Sequence, residues 1–168
     1  NIHNLENDPY WNVPTALPVR VFSPELRESP ERNRTMTDTS LGYKGKVCVV
    51  TGASSGMGRA TVELLVAMGA KVYTLQRRDC DVPGIEQSIA TNLSDKDSID
   101  AAFVQLPEHI DCFFGVAGLS GAKTDYMTTF NCDYTANWYI TETYLKKRMS
   151  AGGSIVYVSS TAGLNWLK

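Results

Sequence analysis

The stretch Thr51-Gly52-Ala53-Ser54-Ser55-Gly56-Met57-Gly58 limits this chain more than any other, because it joins an apolar, β-branched run to a helical one. Lys46-Val47-Cys48-Val49-Val50-Thr51 has the unbroken apolar character of a strand buried on both faces of a parallel sheet. Beyond the glycines, Arg59 to Met68 sets Ala60, Leu64, Ala67 and Met68 at helical spacing, and Gly69 is placed to end the helix. In that setting Gly52 makes the sharp turn, Gly56 lets the backbone approach an anion, and Gly58 lets the helix pack closely on the strand. Free amides at the helix start then face the anion. A second strand, Lys71 to Gln76, closes a βαβ unit of about 30 residues, the size of a dinucleotide-binding unit. The spacing is GxxxGxG and not GxGxxG, and no Gly-Lys-Ser/Thr follows, so this is not a P-loop. Glycines also serve ordinary turns; the flanking strand and helix are what favour a nucleotide.

The same pattern continues. Ser88 to Asn92 reads as a third strand, and Ser94 starts a helix with Asp95 and Asp97 in its first turn and Ile99, Ala102, Phe103 and Leu106 on its inner face. Asp111 to Val116 is a buried strand. Thr124 to Met149 predicts one long helix with Tyr134, Trp138, Thr141 and Leu145 along one side, ended by Gly152-Gly153, before a fifth strand over Ser154 to Ser159. The outline βαβαβαβαβ implies an α/β fold of Rossmann type, a doubly wound parallel sheet cut after the fifth strand, with ligand at the carboxyl ends of the strands.

Residues 1–40 differ from the rest. They hold five of the seven prolines and a charged stretch from Glu25 to Arg34, which reads as an extended or disordered arm before an incomplete domain over 41–168. A net charge of −2 without a basic stripe argues against nucleic acid. No apolar run reaches the roughly 20 residues that span a bilayer, so a soluble cytoplasmic protein is expected. Cys48, Cys80, Cys112 and Cys132 lack CxxC spacing and read as buried or free thiols in a reducing compartment. His3 and His109 are too isolated for a metal site.

From about Gly45 onward the sequence resembles the short-chain dehydrogenase/reductase family. Four segments carry the resemblance in the family's order: Thr51-Gly52-x-x-x-Gly56-x-Gly58; Gly115-Val116-Ala117-Gly118, similar to the family's Asn-Asn-Ala-Gly turn with both asparagines replaced; Asn131, in a helix where the family has a catalytic asparagine; and Gly153 to Ser160, similar to the family's fifth strand and catalytic serine. The short loops and the Ala-Gly turn are most similar to bacterial hydroxysteroid-type dehydrogenases. The resemblance implies a nicotinamide cofactor held by Gly52, Ser54, Ser55, Gly56, Met57, Gly58, Gln76, Arg77, Arg78, Asn92, Leu93, Ala117 and Gly118. It also implies Ser160 to polarise a carbonyl and Asn131 to hold a water in a proton relay. Where members that prefer NAD carry an acid, this chain has Gln76 followed by Arg77 and Arg78, a set that tolerates and pairs with a 2′-phosphate and favours NADP over NAD, with Asp79 and Asp81 against it. The plain alternative is that both arginines are solvated.

One part of the family pattern is missing. The Tyr-x-x-x-Lys pair follows the serine by about 13 residues in the family, whereas eight residues follow Ser160 here and no tyrosine of the chain has lysine four places on. Tyr73 with Arg77 and Tyr144 with Arg148 come nearest and read as surface residues. The chain is therefore expected to be the N-terminal, cofactor-holding part of a dehydrogenase that moves hydride between nicotinamide and a small alcohol or carbonyl compound. The alternatives are a non-catalytic nucleotide-binding module, or an interaction module whose long helix over 124–149 joins copies into a homo-oligomer.

Overall fold

The computed structural model describes residues 41–119 and 124–160. The arm expected over 1–40 lies outside them. Five strands, β1 (Val47–Thr51), β2 (Lys71–Gln76), β3 (Gln87–Ala90), β4 (Ile110–Gly115) and β5 (Met149–Tyr157), pair in parallel in the order β3-β2-β1-β4-β5. The order reverses between β1 and β4, the place where a doubly wound sheet opens a crevice at its carboxyl edge.

Helix α1 (Gly56–Ala67) follows β1, and α2 (Lys96–Gln105) follows β3. Alternate residues of β1 point to opposite faces of the sheet. Cys48 and Val50 join Val62, Leu65 and Val72 in the core under α1, while Val49 joins Leu75, Phe103, Phe113, Ile140 and Leu145 on the other face. All four cysteines are free and buried, as their spacing suggested.

Several local expectations change. The buried stripe of α1 is Gly58, Val62 and Leu65, whereas Ala60, Leu64 and Ala67 are exposed. Apolar residues surround this helix, so periodicity alone allowed either phase; the close packing of Gly58 on the turn after β1 selects the observed one. The end of α1 is as read: Gly69 has φ +78°, its amide bonds to Val66 O, and Ala70 N bonds to Leu65 O, a Schellman closure. No helix joins β2 to β3. The ten residues 77–86 contain Pro83 and Gly84, the latter at φ +88°, too short and too interrupted for one. The cap of α2 is Asp95, whose carboxylate accepts from Asp97 N at 3.1 Å, and Ser94 instead donates to Thr128 O.

The fourth change concerns the long helix. It runs through α-helical Tyr126–Phe130, π-helical Asn131–Thr135, α-helical Ala136–Ile140, π-helical Thr141–Leu145 and α-helical Lys146–Arg148. Its buried residues Cys132, Ala136, Ile140 and Leu145 are spaced by four, four and five, which only the wider turns allow. Tyr134 and Trp138 therefore stay outside, 61% and 56% exposed, while Leu145 is wholly buried, so the single expected side does not exist. Tyr144 and Arg148 are not a plain surface pair either. The Tyr144 ring stacks on Phe103 with its hydroxyl 2.6 Å from Asp100, and Arg148 lies over both rings and donates to Phe103 O. Tyr73 packs against the core. Strand β5 begins at Met149, five residues ahead of the expected Ser154, with a register shift between its pairings to Ile110 and Cys112.

Candidate functional site

At the carboxyl edge of β1, β2, β3 and β4 lies a cleft of about 620 Å³. The turn after β1 supplies Gly52, Ser54, Ser55, Met57 and Gly58; the end of β2 supplies Gln76, Arg77 and Arg78. Asn92 and Leu93 follow β3, and Ala117 and Gly118 follow β4. Every residue expected to hold a cofactor is on this wall except Gly56, which stands outside it at φ +56°, a left-handed conformation that by itself calls for glycine. Thr91, Ser94, Val116, Leu119 and Cys132 complete the lining and were not foreseen. Four of them adjoin segments already singled out. Cys132 comes from the long helix, and nothing local in the sequence marks it.

The wall is built on close backbone contact. A Cβ on Gly52 would stand 2.7 Å from Ala117 Cα, and one on Gly58 would stand 2.7 Å from the carbonyl carbon of Gly52. The Thr51 hydroxyl accepts the amides of Val116 and Ala117, each at 3.1 Å, and ties the end of β1 to the turn after β4. Ser55, in extended conformation at the start of α1, makes no side-chain bond to the helix, so the first-turn amides are left to an anion. At Gly115, where the resembling family has asparagine, a Cβ would lie 2.7 Å from Tyr157 Cε1 and 2.8 Å from Asn137 Oδ1. Tyr157 and the long helix fill the space an asparagine would need.

Gln76 is 5% exposed. Its Nε2 donates to Thr74 Oγ1 at 3.1 Å and Ser88 Oγ at 2.8 Å, and its Oε1 has no partner. A buried acceptor without a donor costs about 1–3 kcal/mol. A sugar hydroxyl in the cleft would supply the donor, so the wall fits a nucleoside at this point. Beside it, Arg78 reaches the hydroxyls of Ser54 and Ser55 at 3.5 and 3.4 Å, and Arg77 also lines the cleft. Of the acids weighed against them, Asp81 is taken up by an ion pair with Arg59, and Asp79 bonds the Cys80 amide. Burial first, then the Asp133 carboxylate, pushes the Cys132 thiol up to about 11, so it remains a thiol at neutral pH.

The two residues expected to be catalytic fall elsewhere. Asn131 lines a second groove of about 340 Å³ between the start of α2 and the long helix, and its Oδ1 accepts from Thr135 at 3.3 Å. Ser160 is exposed, three residues past the end of β5, and lines neither cavity. Among the described residues no cluster of histidine, cysteine and acidic groups could hold a metal, and no helix is long and apolar enough to cross a membrane.

Comparison with known proteins agrees with this geometry. The family model described as short chain dehydrogenase matches residues 46–167. A coniferyl-alcohol dehydrogenase of a Pseudomonas species is 39% identical over 123 residues, which cover 72% of this chain and 46% of that protein. A short-chain dehydrogenase/reductase of Acremonium egyptiacum is 36% identical over 151 residues, covering 73% and 50%. Among solved structures, an oxidoreductase of the same family from Brucella ovis, in complex with a partially ordered NAD, is 28% identical with a TM-score of 0.63, covering 74% of this chain and 67% of that one. The chain spans about half the length of the curated relatives it matches.

Proposed function

The chain belongs to the short chain dehydrogenase family, and on that premise we propose that its cleft holds a nicotinamide dinucleotide, NADP in preference to NAD. The whole protein then oxidises a small alcohol or reduces a carbonyl compound. The observation that carries the reading is the convergence of four separate turns on one cleft at the point where strand order reverses. In it, Gly52 and Gly58 bring backbone close, the first amides of α1 take the pyrophosphate, and Gln76 Oε1 accepts from an adenosine ribose hydroxyl. Arg77 and Arg78 pair with the 2′-phosphate that an acidic residue in place of Gln76 would repel. Asn92 and Leu93 flank the base. When bound, the nicotinamide supplies or takes up hydride.

Ser160 is proposed to polarise the substrate oxygen, in concert with an acid/base pair that residues 1–168 do not contain in the family's spacing. Asn131, on a groove that shares Leu93 and Ser94 with the cleft, is proposed to hold a water in the proton relay. A second reading, assembly with another copy of this chain, rests on the ladder of exposed rings along the long helix. Tyr126 stacks on Phe130 with centroids 5.9 Å apart, Phe130 meets Tyr134 at 5.2 Å, and Trp138 continues the row. Four buried free thiols suit a reducing, cytoplasmic setting.

The test is a titration of the chain with NADPH and with NADH, followed by nicotinamide fluorescence. Saturable binding of both, tighter for NADPH, is expected. Failure of both to bind would end this reading.

A further inference from the structure

The cleft wall over Val116 to Leu119 is held at two ends. Thr51 holds the first end from β1, through the amides of Val116 and Ala117. At the other end the amide of Leu119 donates to the Asp133 carboxylate, Oδ1 at 2.8 Å, across 14 residues of sequence. The same oxygen stands 3.9 Å from where a Cβ on Gly118 would be. Asp133 sits in the first π-helical segment of the long helix, next to Cys132, which lines the cleft, and Asn137 Nδ2 donates to its backbone carbonyl at 2.9 Å. An amide donating to a carboxylate is stronger than one donating to a neutral oxygen. Leu119 is the last described residue of this stretch of the wall, and its side chain packs against the core.

We propose that Asp133 is a positioning residue of the cofactor cleft: its carboxylate fixes the Leu119 backbone and so sets the wall against which the dinucleotide lies. The inference rests on the reading of the cleft as a nicotinamide site, but the bond itself does not. Asp133 lines neither the cleft nor the second groove and acts through Leu119, Gly118 and the neighbouring Cys132 thiol, so loss of its side chain loosens the wall without removing any group that touches the ligand. Asparagine at this position keeps an oxygen that can accept from the Leu119 amide, and alanine does not.

The experiment compares Asp133→Asn and Asp133→Ala in the full chain. Amide exchange at Leu119, read by NMR without ligand, should quicken roughly tenfold in Asp133→Ala and stay within about twofold in Asp133→Asn. NADPH affinity should fall by roughly tenfold in the alanine variant and be retained in the asparagine one. Unchanged Leu119 exchange in Asp133→Ala overturns the proposal, as does an asparagine variant that behaves like alanine. Faster exchange with unaltered NADPH affinity overturns the positioning role. If the unaltered chain binds neither cofactor, the functional reading falls, and the exchange measurement alone judges the hold of Asp133 on the loop.

Discussion

Ala117 occupies the space a side chain on Gly52 would need: its Cα and N lie 2.7 and 2.9 Å from the position of a Gly52 Cβ. The turn after β1 and the turn after β4 therefore meet backbone to backbone. The position combines that contact with φ +73°, which L side chains rarely adopt.

Gly52→Ala carries both penalties, and a loss of about 2–4 kcal/mol of folding stability is expected. Urea unfolding followed by circular dichroism would measure it. A midpoint equal to that of the unaltered chain would show that the two turns can part at little cost.

Arg78→Ala should weaken NADPH binding by roughly tenfold and leave NADH nearly unaffected, since a charge-assisted contact to one phosphate is what it removes. Gln76→Asp should reverse the preference, placing a negative charge where a 2′-phosphate would sit. Fluorescence titrations with both cofactors decide this, and parallel losses for the two would remove the arginines from phosphate recognition.

Asp111 ties together the starts of three strands. The Val47 amide at 2.8 Å and the Ser150 hydroxyl at 2.7 Å, with Lys46 at 3.3 Å, hold its carboxyl below the usual 3.8. A folded-state value depressed in this way adds stability that is present above the unfolded value and is lost as pH falls through the folded one. Stability should decline more steeply in acid, below about pH 4, for the unaltered chain than for Asp111→Asn. Urea midpoints between about pH 2 and 6 would show the difference, and parallel curves would argue that the group is not coupled to folding.

Trp138→Glu together with Tyr134→Glu places two charges on the exposed ring ladder and should shift any concentration-dependent dimer to monomer. Both residues are more than half exposed, so folding should be little altered. Light scattering over a hundredfold concentration range reads the outcome, and an unaltered mass distribution would move the interface elsewhere.

The residues that line the cleft were more legible in the sequence than the helices were. The glycine turn, the end of β2, Asn92-Leu93 and Ala117-Gly118 are local signals, each tied to a backbone conformation or a strand end, and they come together in one cleft. The phase of α1 was also open to reading. Gly58 must face the turn after β1, and Val62 and Leu65 then follow on its side at four and seven residues; apolar Leu64 and Ala67 obscured this. By contrast, Cys132 and Asp133 reach the site through a helix whose turns depart from the ordinary period, and no window of apolar spacing at 3.6 residues reveals that. The cap of α2 slipped from Ser94 to Asp95 because both residue types cap well, and contact of Ser94 with Thr128, 34 residues away, decided between them.

The wide turns of the long helix make its residue count part of the cleft's architecture. An ordinary α-helical residue advances the chain by about 100° around the axis. Five residues in a wide turn sweep about the same angle as four in an ordinary one. Were one residue deleted between Thr141 and Leu145, an ordinary turn would take the place of the wide one, with Leu145 still in the core and Cys132 and Asp133 still beside Leu119. One residue inserted there has no such turn to give up, and would turn Leu145 out of the core or swing Cys132 and Asp133 away from Leu119, although neither had been changed. Insertions in the long helix are thus predicted to be less tolerated than deletions within its wide turns.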